Sequence, residues 1–222
     1  MRQKLVDALL LTGRKLGMRN IMWLAIAVTF VALASVVAQG VDIVVEARQR
    51  TPQIIADLWN SQRLTLTLGD FRSGRLDLLL AVQDPLFYQH HGVNLVGRRA
   101  RTTTVTQALV KYLYFDGWRP SAENKIRQTL IAAFALDPLA TKDEQLTVFV
   151  NTVYLGSSQG RAVRGFAQGA EVYFGKRFEV LTEDEYLSLV AMLDAPNALS
   201  IARNPEANAQ RVSQIRSTLM RQ

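Results

Sequence analysis

The chain contains no cysteine, which excludes disulfides and thiol chemistry but is compatible with any compartment. Histidine is almost as scarce, and the only two, His90 and His91, are adjacent. Acids are also in deficit: 19 Asp and Glu face 26 Lys and Arg, a net charge of +7. That balance favours anionic partners, whether nucleic acid, acidic lipid headgroups or a pyrophosphate-bearing substrate. No internal repeat or low-complexity segment is present, which removes solenoid and linker architectures.

What remains is a chain of 222 residues, 49% hydrophobic and 20% charged, long enough for an anchor and one domain with a packed core. Residues 1–20 form a basic segment, with Arg2, Lys4, Arg14, Lys15 and Arg19 against the single acid Asp7. Residues 21–38, IMWLAIAVTFVALASVVA, carry no charge over about 18 positions, the length of a short spanning helix and longer than a typical signal h-region. Basic residues before this run place the N-terminus on the cytoplasmic side of the membrane and the remainder on the far side. Val36-Val37-Ala38 also fits a signal-peptidase site, so cleavage is the alternative to an uncleaved anchor. Residues 39–70 read as a connecting region in which Thr51-Pro52 opens a helix and Leu64, Leu66 and Leu68 alternate as a short strand. Residues 71–222 form the main domain.

The densest chemistry lies in residues 83–92, QDPLFYQHHG. An apolar run, Leu76–Val82, leads into it and reads as a buried helix; Pro85 disfavours helix at the preceding residue, so the break falls at Asp84. Polar side chains at the end of a rigid element are well placed for chemistry, although a surface loop whose His and Phe merely pack has the same composition. Downstream come the basic Arg98, Arg99 and Arg101, then TTTVTQALVK over 102–111, where hydroxyls, an amide and an ammonium can hold pyrophosphate and sugar oxygens. Alone, that stretch also reads as a Thr-rich helix start with Lys111 in solvent.

The 83–92 cluster resembles the first motif of the peptidoglycan glycosyltransferases, glycosyltransferase family 51, E-D-x-x-F-x-x-H-x-G, with Gln83 where the family has its catalytic glutamate. Thr103, Thr104, Thr106, Gln107 and Lys111 fall into register with the second motif, G-G-S-T-x-T-Q-Q followed by Lys; Arg101 and Thr102 replace its glycines and Ala108 its last glutamine. Lys125 and Arg127 keep the charge of the third motif, R-K-x-x-E, whose acid falls on Gln128. Counting back from Lys142 puts that acid on Thr129 instead, and Glu123 is a displaced substitute nearby. Lys142, Leu146, Asn151, Val153, Tyr154 and Gly156 match the fourth motif. Tyr173-Phe174-Gly175-Lys176 completes the fifth, in which Arg164 and Ala167 replace a tyrosine and a glutamate. The resemblance runs in order from about residue 75 to the C-terminus.

This resemblance implies a mainly α, lysozyme-like two-lobed glycosyltransferase domain behind one N-terminal transmembrane helix. It implies lipid II or a glycan strand as ligand, with membrane lipid and an envelope protein as further partners. The catalytic positions are Gln83 (degenerate general base), Asp84, His90 and Gln128 (degenerate second acid). The substrate-binding set is Thr103, Thr104, Thr106, Gln107, Lys111, Lys125, Arg127 and Asn151, although Asn151 itself reads as a buried hydrogen-bonding residue rather than a catalyst. No resident cofactor or metal-ligand set is implied, and a divalent metal at the pyrophosphate is left open. A carboxamide has no useful basicity, so Gln83 can hydrogen-bond a hydroxyl but cannot accept its proton. Loss of a positioned base costs on the order of a hundred- to ten-thousand-fold in rate. Two readings follow: a pseudoenzyme that keeps ligand binding, or an active transferase whose base has moved to Asp84 or His90. Nucleic-acid binding is set aside by the spanning segment and by the lack of any recognisable motif. A lysozyme-like hydrolase is disfavoured because it needs acids that are missing.

Overall fold

The computed structural model describes residues 18–72, 74–94 and 103–221, which divide into two units, Met1–Asp42 and Ile43–Gln222. A single helix, α1 (Met18–Asn60), begins in the first and ends in the second. In the first unit every residue from 20 to 39 is exposed, including Ile21, Trp23, Leu24, Phe30 and Leu33. The stretch is long and apolar enough to cross a membrane.

Two expectations for residues 39–70 are corrected. Thr51-Pro52 does not open a helix; Pro52 lies inside α1. Proline costs the hydrogen bond to the carbonyl four residues earlier. The surrounding turns hold nonetheless because Ile43, Ile54, Ile55 and Leu58 pack against the domain core. Buried Thr51 donates a hydrogen bond to the Ala47 carbonyl (2.7 Å) and is hydrogen-bonded to the Tyr114 hydroxyl (2.6 Å). Leu64–Leu68 do not form a strand either. Residues 63–67 have no regular secondary structure and no strand partner among the described residues, and Leu68–Asp70 turn as a 3-10 helix. The partner is one side chain: the Asn151 amide accepts the Leu66 N–H (2.9 Å) and donates to the Leu66 carbonyl (2.8 Å).

The domain is mainly helical, as expected. Helix α2 (Arg75–Gln83) ends at Asp84, where the Asp-Pro pair breaks it. Helix α3 (Val105–Leu113) opens on a capping box, Thr104 accepting the Gln107 N–H while Gln107 accepts that of Thr104. Helix α4 (Ala122–Ile131) passes into a π-helical turn, Ala132–Leu136, and a last turn, Asp137–Leu139. Helix α5 (Lys142–Thr152) is the axis of the core: every residue from Gln145 to Asn151 is buried, with α3 and the later helix Gly165–Phe174 packed against it. A two-stranded antiparallel hairpin follows, β1 (Tyr154–Ser158) and β2 (Arg161–Arg164). Its tip, Gln159-Gly160, has positive φ at both positions, the backbone that a two-residue hairpin turn requires. Helices α6 (Gly165–Phe174), α7 (Glu183–Ala191) and α8 (Pro205–Leu219) complete the domain. A knot of rings, Phe71, Phe166, Phe178 and Tyr186, closes the base. The buried Arg75 guanidinium lies over Phe178 and Tyr186 there and donates to the Phe178 and Leu181 carbonyls.

Candidate functional site

A cleft of about 430 Å³ opens where α2, α3, α5, β1 and the segment after α7 meet. Gln83 enters from the end of α2, Thr103, Lys111 and Tyr112 from α3 and its approach, Tyr154 from β1, and Asp194 and Pro196 from beyond α7. Gln83 is half-buried, and its amide donates weakly to the Thr103 carbonyl at 3.4 Å.

The other first-motif residues brace this position. The buried Asp84 carboxylate accepts the Val105 N–H (3.0 Å), an otherwise unpaired donor at the start of α3, and receives Nε2 of His90 at 2.9 and 3.0 Å. Nδ1 of His90 is buried without a partner. Both groups face each other and the fold rather than open solvent. Lys142 donates to Asp137 (2.6 Å) and to the His90 carbonyl (2.8 Å), and stands 4.8 Å from the centre of the Phe87 ring. Gly92 has φ +76°, and a Cβ there would stand 2.3 Å from the Ala132 carbonyl oxygen, so only glycine lets this loop pass the π-helical turn.

The second-motif side chains divide sharply. Thr104 is buried, donating to the Gly92 carbonyl (2.7 Å) besides capping α3. Thr106 is buried and donates to Gln145 (2.7 Å); buried Gln107 completes the capping box and donates to Thr129 (3.2 Å). Thr103 and Lys111 line the cleft. Arg98, Arg99, Arg101 and Thr102 lie outside the described residues.

Lys111 packs 4.5 Å from the centre of the Trp118 ring; burial lowers its ammonium pKa, and the nearby Lys125 lowers it further. Desolvation lowers the pKa of Lys125 as well. Arg127 lies over Phe115 at 5.6 Å, with Nε buried and unpartnered. Among the described residues no carboxylate forms a salt bridge with Lys111, Lys125 or Arg127.

The two registers left open for the second acid are separated by burial. Gln128 is fully buried and donates to the Gln107 carbonyl at 2.5 Å. Thr129 is partly accessible, and its hydroxyl meets Gln107. Asn151 spends both amide hydrogens on the Leu66 and Thr147 carbonyls, so it holds the chain rather than facing the cleft.

Two polar cleft residues escaped the reading of the sequence: Tyr112 and Asp194. Nothing local marks Asp194, which reaches Gln83 only through the packing of the C-terminal helices. The Arg164 guanidinium lies 5.3 Å over Tyr112 and 5.7 Å over Tyr154. Among the described residues no three His, Asp or Glu side chains converge as a metal cage.

Residues 51–220 match the model of a family described as Transglycosylase. The chain is 30% identical to penicillin-binding protein 1B of Haemophilus influenzae over 175 residues, which cover 72% of the chain and 22% of that protein. It is 32% identical to penicillin-binding protein 1B of Escherichia coli over 178 residues, covering 72% and 20%. With penicillin-binding protein 1A of Escherichia coli it shares 30% over 161 residues, covering 67% and 18%. It therefore spans about a fifth of the length of these relatives. The chain belongs to the Transglycosylase family, the peptidoglycan glycosyltransferase-type domains of glycosyltransferase family 51.

Proposed function

We propose that this domain binds the pyrophosphate-linked sugar of lipid II, or the end of a glycan strand, in the Gln83 cleft and turns it over poorly or not at all. The observation that carries this reading is the Lys111–Lys125 pair: two like charges close enough to repel, neither in a salt bridge among the described residues. An anion lodged between them would relieve that repulsion, and a pyrophosphate is such an anion. Fixed cations of this kind stabilise charge on a leaving pyrophosphate, a large catalytic term in group transfer. The complementary step, removal of a proton from the acceptor hydroxyl, has no carboxylate at position 83 to perform it.

The α1 span, residues 21–38, serves in this reading as an inner-membrane anchor, with the basic N-terminus in the cytoplasm and the domain in the periplasm. In spheroplasts, protease added from the periplasmic side should then cut beyond residue 40, and recovery of a mature chain starting near Gln39 would replace the anchor with a cleaved signal. The binding reading is tested with full-length protein and purified lipid II in detergent. Lys111→Ala/Lys125→Ala should weaken binding about tenfold or more, most strongly at low salt. Absence of binding by the parent protein removes the reading.

A further inference from the structure

Gln83 shares its cleft with one carboxylate, Asp194, the only acid among the described residues that line it. Asp194 sits just beyond α7, and its side chain is half exposed. Arg211, on α8, approaches it from one side: Nε donates to Oδ2 at 2.6 Å, and Nη2 stands 2.5 Å from the same oxygen. Both contacts fall on Oδ2. Among the described residues Oδ1 has no partner, so the carboxylate is clamped at one oxygen and open at the other.

The rest of the cleft suits a sugar. Gln83 offers an amide, Tyr112 and Tyr154 contribute aromatic rings, and Lys111 is the only cation among the described residues that line it. A carboxylate is a poor neighbour for a phosphate, because like charges repel. Sugar hydroxyls, by contrast, are donors that need an acceptor, and an ionised carboxylate is the strongest one a side chain supplies. The cleft is thus divided by charge, with Lys111 for the anionic part of a ligand and Asp194 for a neutral, hydroxyl-bearing part.

We propose that Asp194, held by Arg211, is the residue that recognises a sugar hydroxyl of the ligand bound in the Gln83 cleft. This rests on the glycan-binding reading above and adds a residue that none of the motifs contains. Asp194 touches the ligand; Arg211 is a positioning residue that aims it.

The test compares full-length parent protein with Asp194→Ala, Asp194→Asn and Lys111→Ala, using three probes: lipid II, a lipid-free glycan fragment and inorganic pyrophosphate with and without magnesium. Loss of a hydrogen bond to a charged group is expected to weaken binding of lipid II and of the glycan fragment by about tenfold or more in Asp194→Ala. Asp194→Asn should fall between parent and alanine, since its amide oxygen still accepts. Pyrophosphate affinity should stay the same or rise slightly in both variants, whereas Lys111→Ala should lower it. A variant that merely lost shape would weaken all probes together, and that outcome overturns the proposal, as does unchanged glycan binding in Asp194→Ala. A loss confined to pyrophosphate with magnesium would make Asp194 a cation contact and also overturn it. Failure of the parent to bind either lipid II or pyrophosphate would instead remove the underlying reading.

Discussion

The Asp84 carboxylate and the Val105 amide, 21 residues apart in sequence, are joined by a 3.0 Å hydrogen bond that ties the end of α2 to the start of α3. With His90 on the same carboxylate, this bond fixes the corner on which Gln83 stands. The carboxylate is 3% exposed and already holds two donors, so its placement suits an organiser of the site. Asp84→Asn leaves one carbonyl oxygen to serve both donors and should cost about 1–3 kcal/mol. In a thermal melt of the full chain this is a drop of roughly 2–10 °C. An unchanged melting temperature would show that the corner is held elsewhere.

Gln83→Glu changes chemistry while nearly preserving shape, and should create measurable lipid II polymerisation where the parent shows little or none. Thr129 is the accessible one of the two candidate positions for the second acid, so Gln83→Glu/Thr129→Glu should exceed Gln83→Glu alone. Gln128→Glu should fail for a physical reason: it buries a carboxylate beside the Gln107 carbonyl, at a cost of several kcal/mol. Robust turnover by the parent, unaffected by Gln83→Ala, would invert this ranking.

Lys111 is charged at a cost in the folded domain. Its folded-state pKa is lowered, first by desolvation and then by Lys125, so the unfolded chain binds more protons between the lowered value and the ordinary lysine value near 10.4. Stability should therefore rise with pH across that window, while pyrophosphate affinity falls as the ammonium is lost. Lys111→Met keeps the stem against Trp118 and removes the charge. It should melt no lower than the parent at neutral pH yet bind pyrophosphate about tenfold more weakly. A lower melting temperature together with unaltered affinity would contradict both halves.

Asn151→Ala separates holding the chain from holding a ligand. It strips Leu66 of both hydrogen bonds to this side chain, so stability should fall by about 2–4 kcal/mol, and proteases should cut faster near residues 61–67. Lipid II affinity, measured at a temperature where the variant remains folded, should match the parent. A selective loss of affinity would return Asn151 to the ligand-binding set.

Much of the architecture is local and was therefore legible. The apolar run of residues 21–38 needs only its own composition to be a helix. Asp84-Pro85 ends α2 because proline restricts its predecessor. The order of the motifs likewise identifies the family.

Only tertiary structure decided the rest, because each remaining question turns on atoms far apart in the chain. Pro52 stays helical since its neighbours gain more from the core than one lost hydrogen bond costs. Leu64–Leu68 remain unpaired as a strand because an amide 85 residues away from Leu66 saturates its backbone. Thr103 and Thr106 differ by three positions, yet helix geometry and the packing of α5 turn Thr106 into the core and leave Thr103 at the cleft. Gln128 and Thr129 are adjacent in sequence, and only the position of Gln107 determines which is sealed. Asp194 and Gln83 share a cleft because α7 and α8 fold back onto α2, a juxtaposition set by burial of apolar surface that no spacing along the chain encodes.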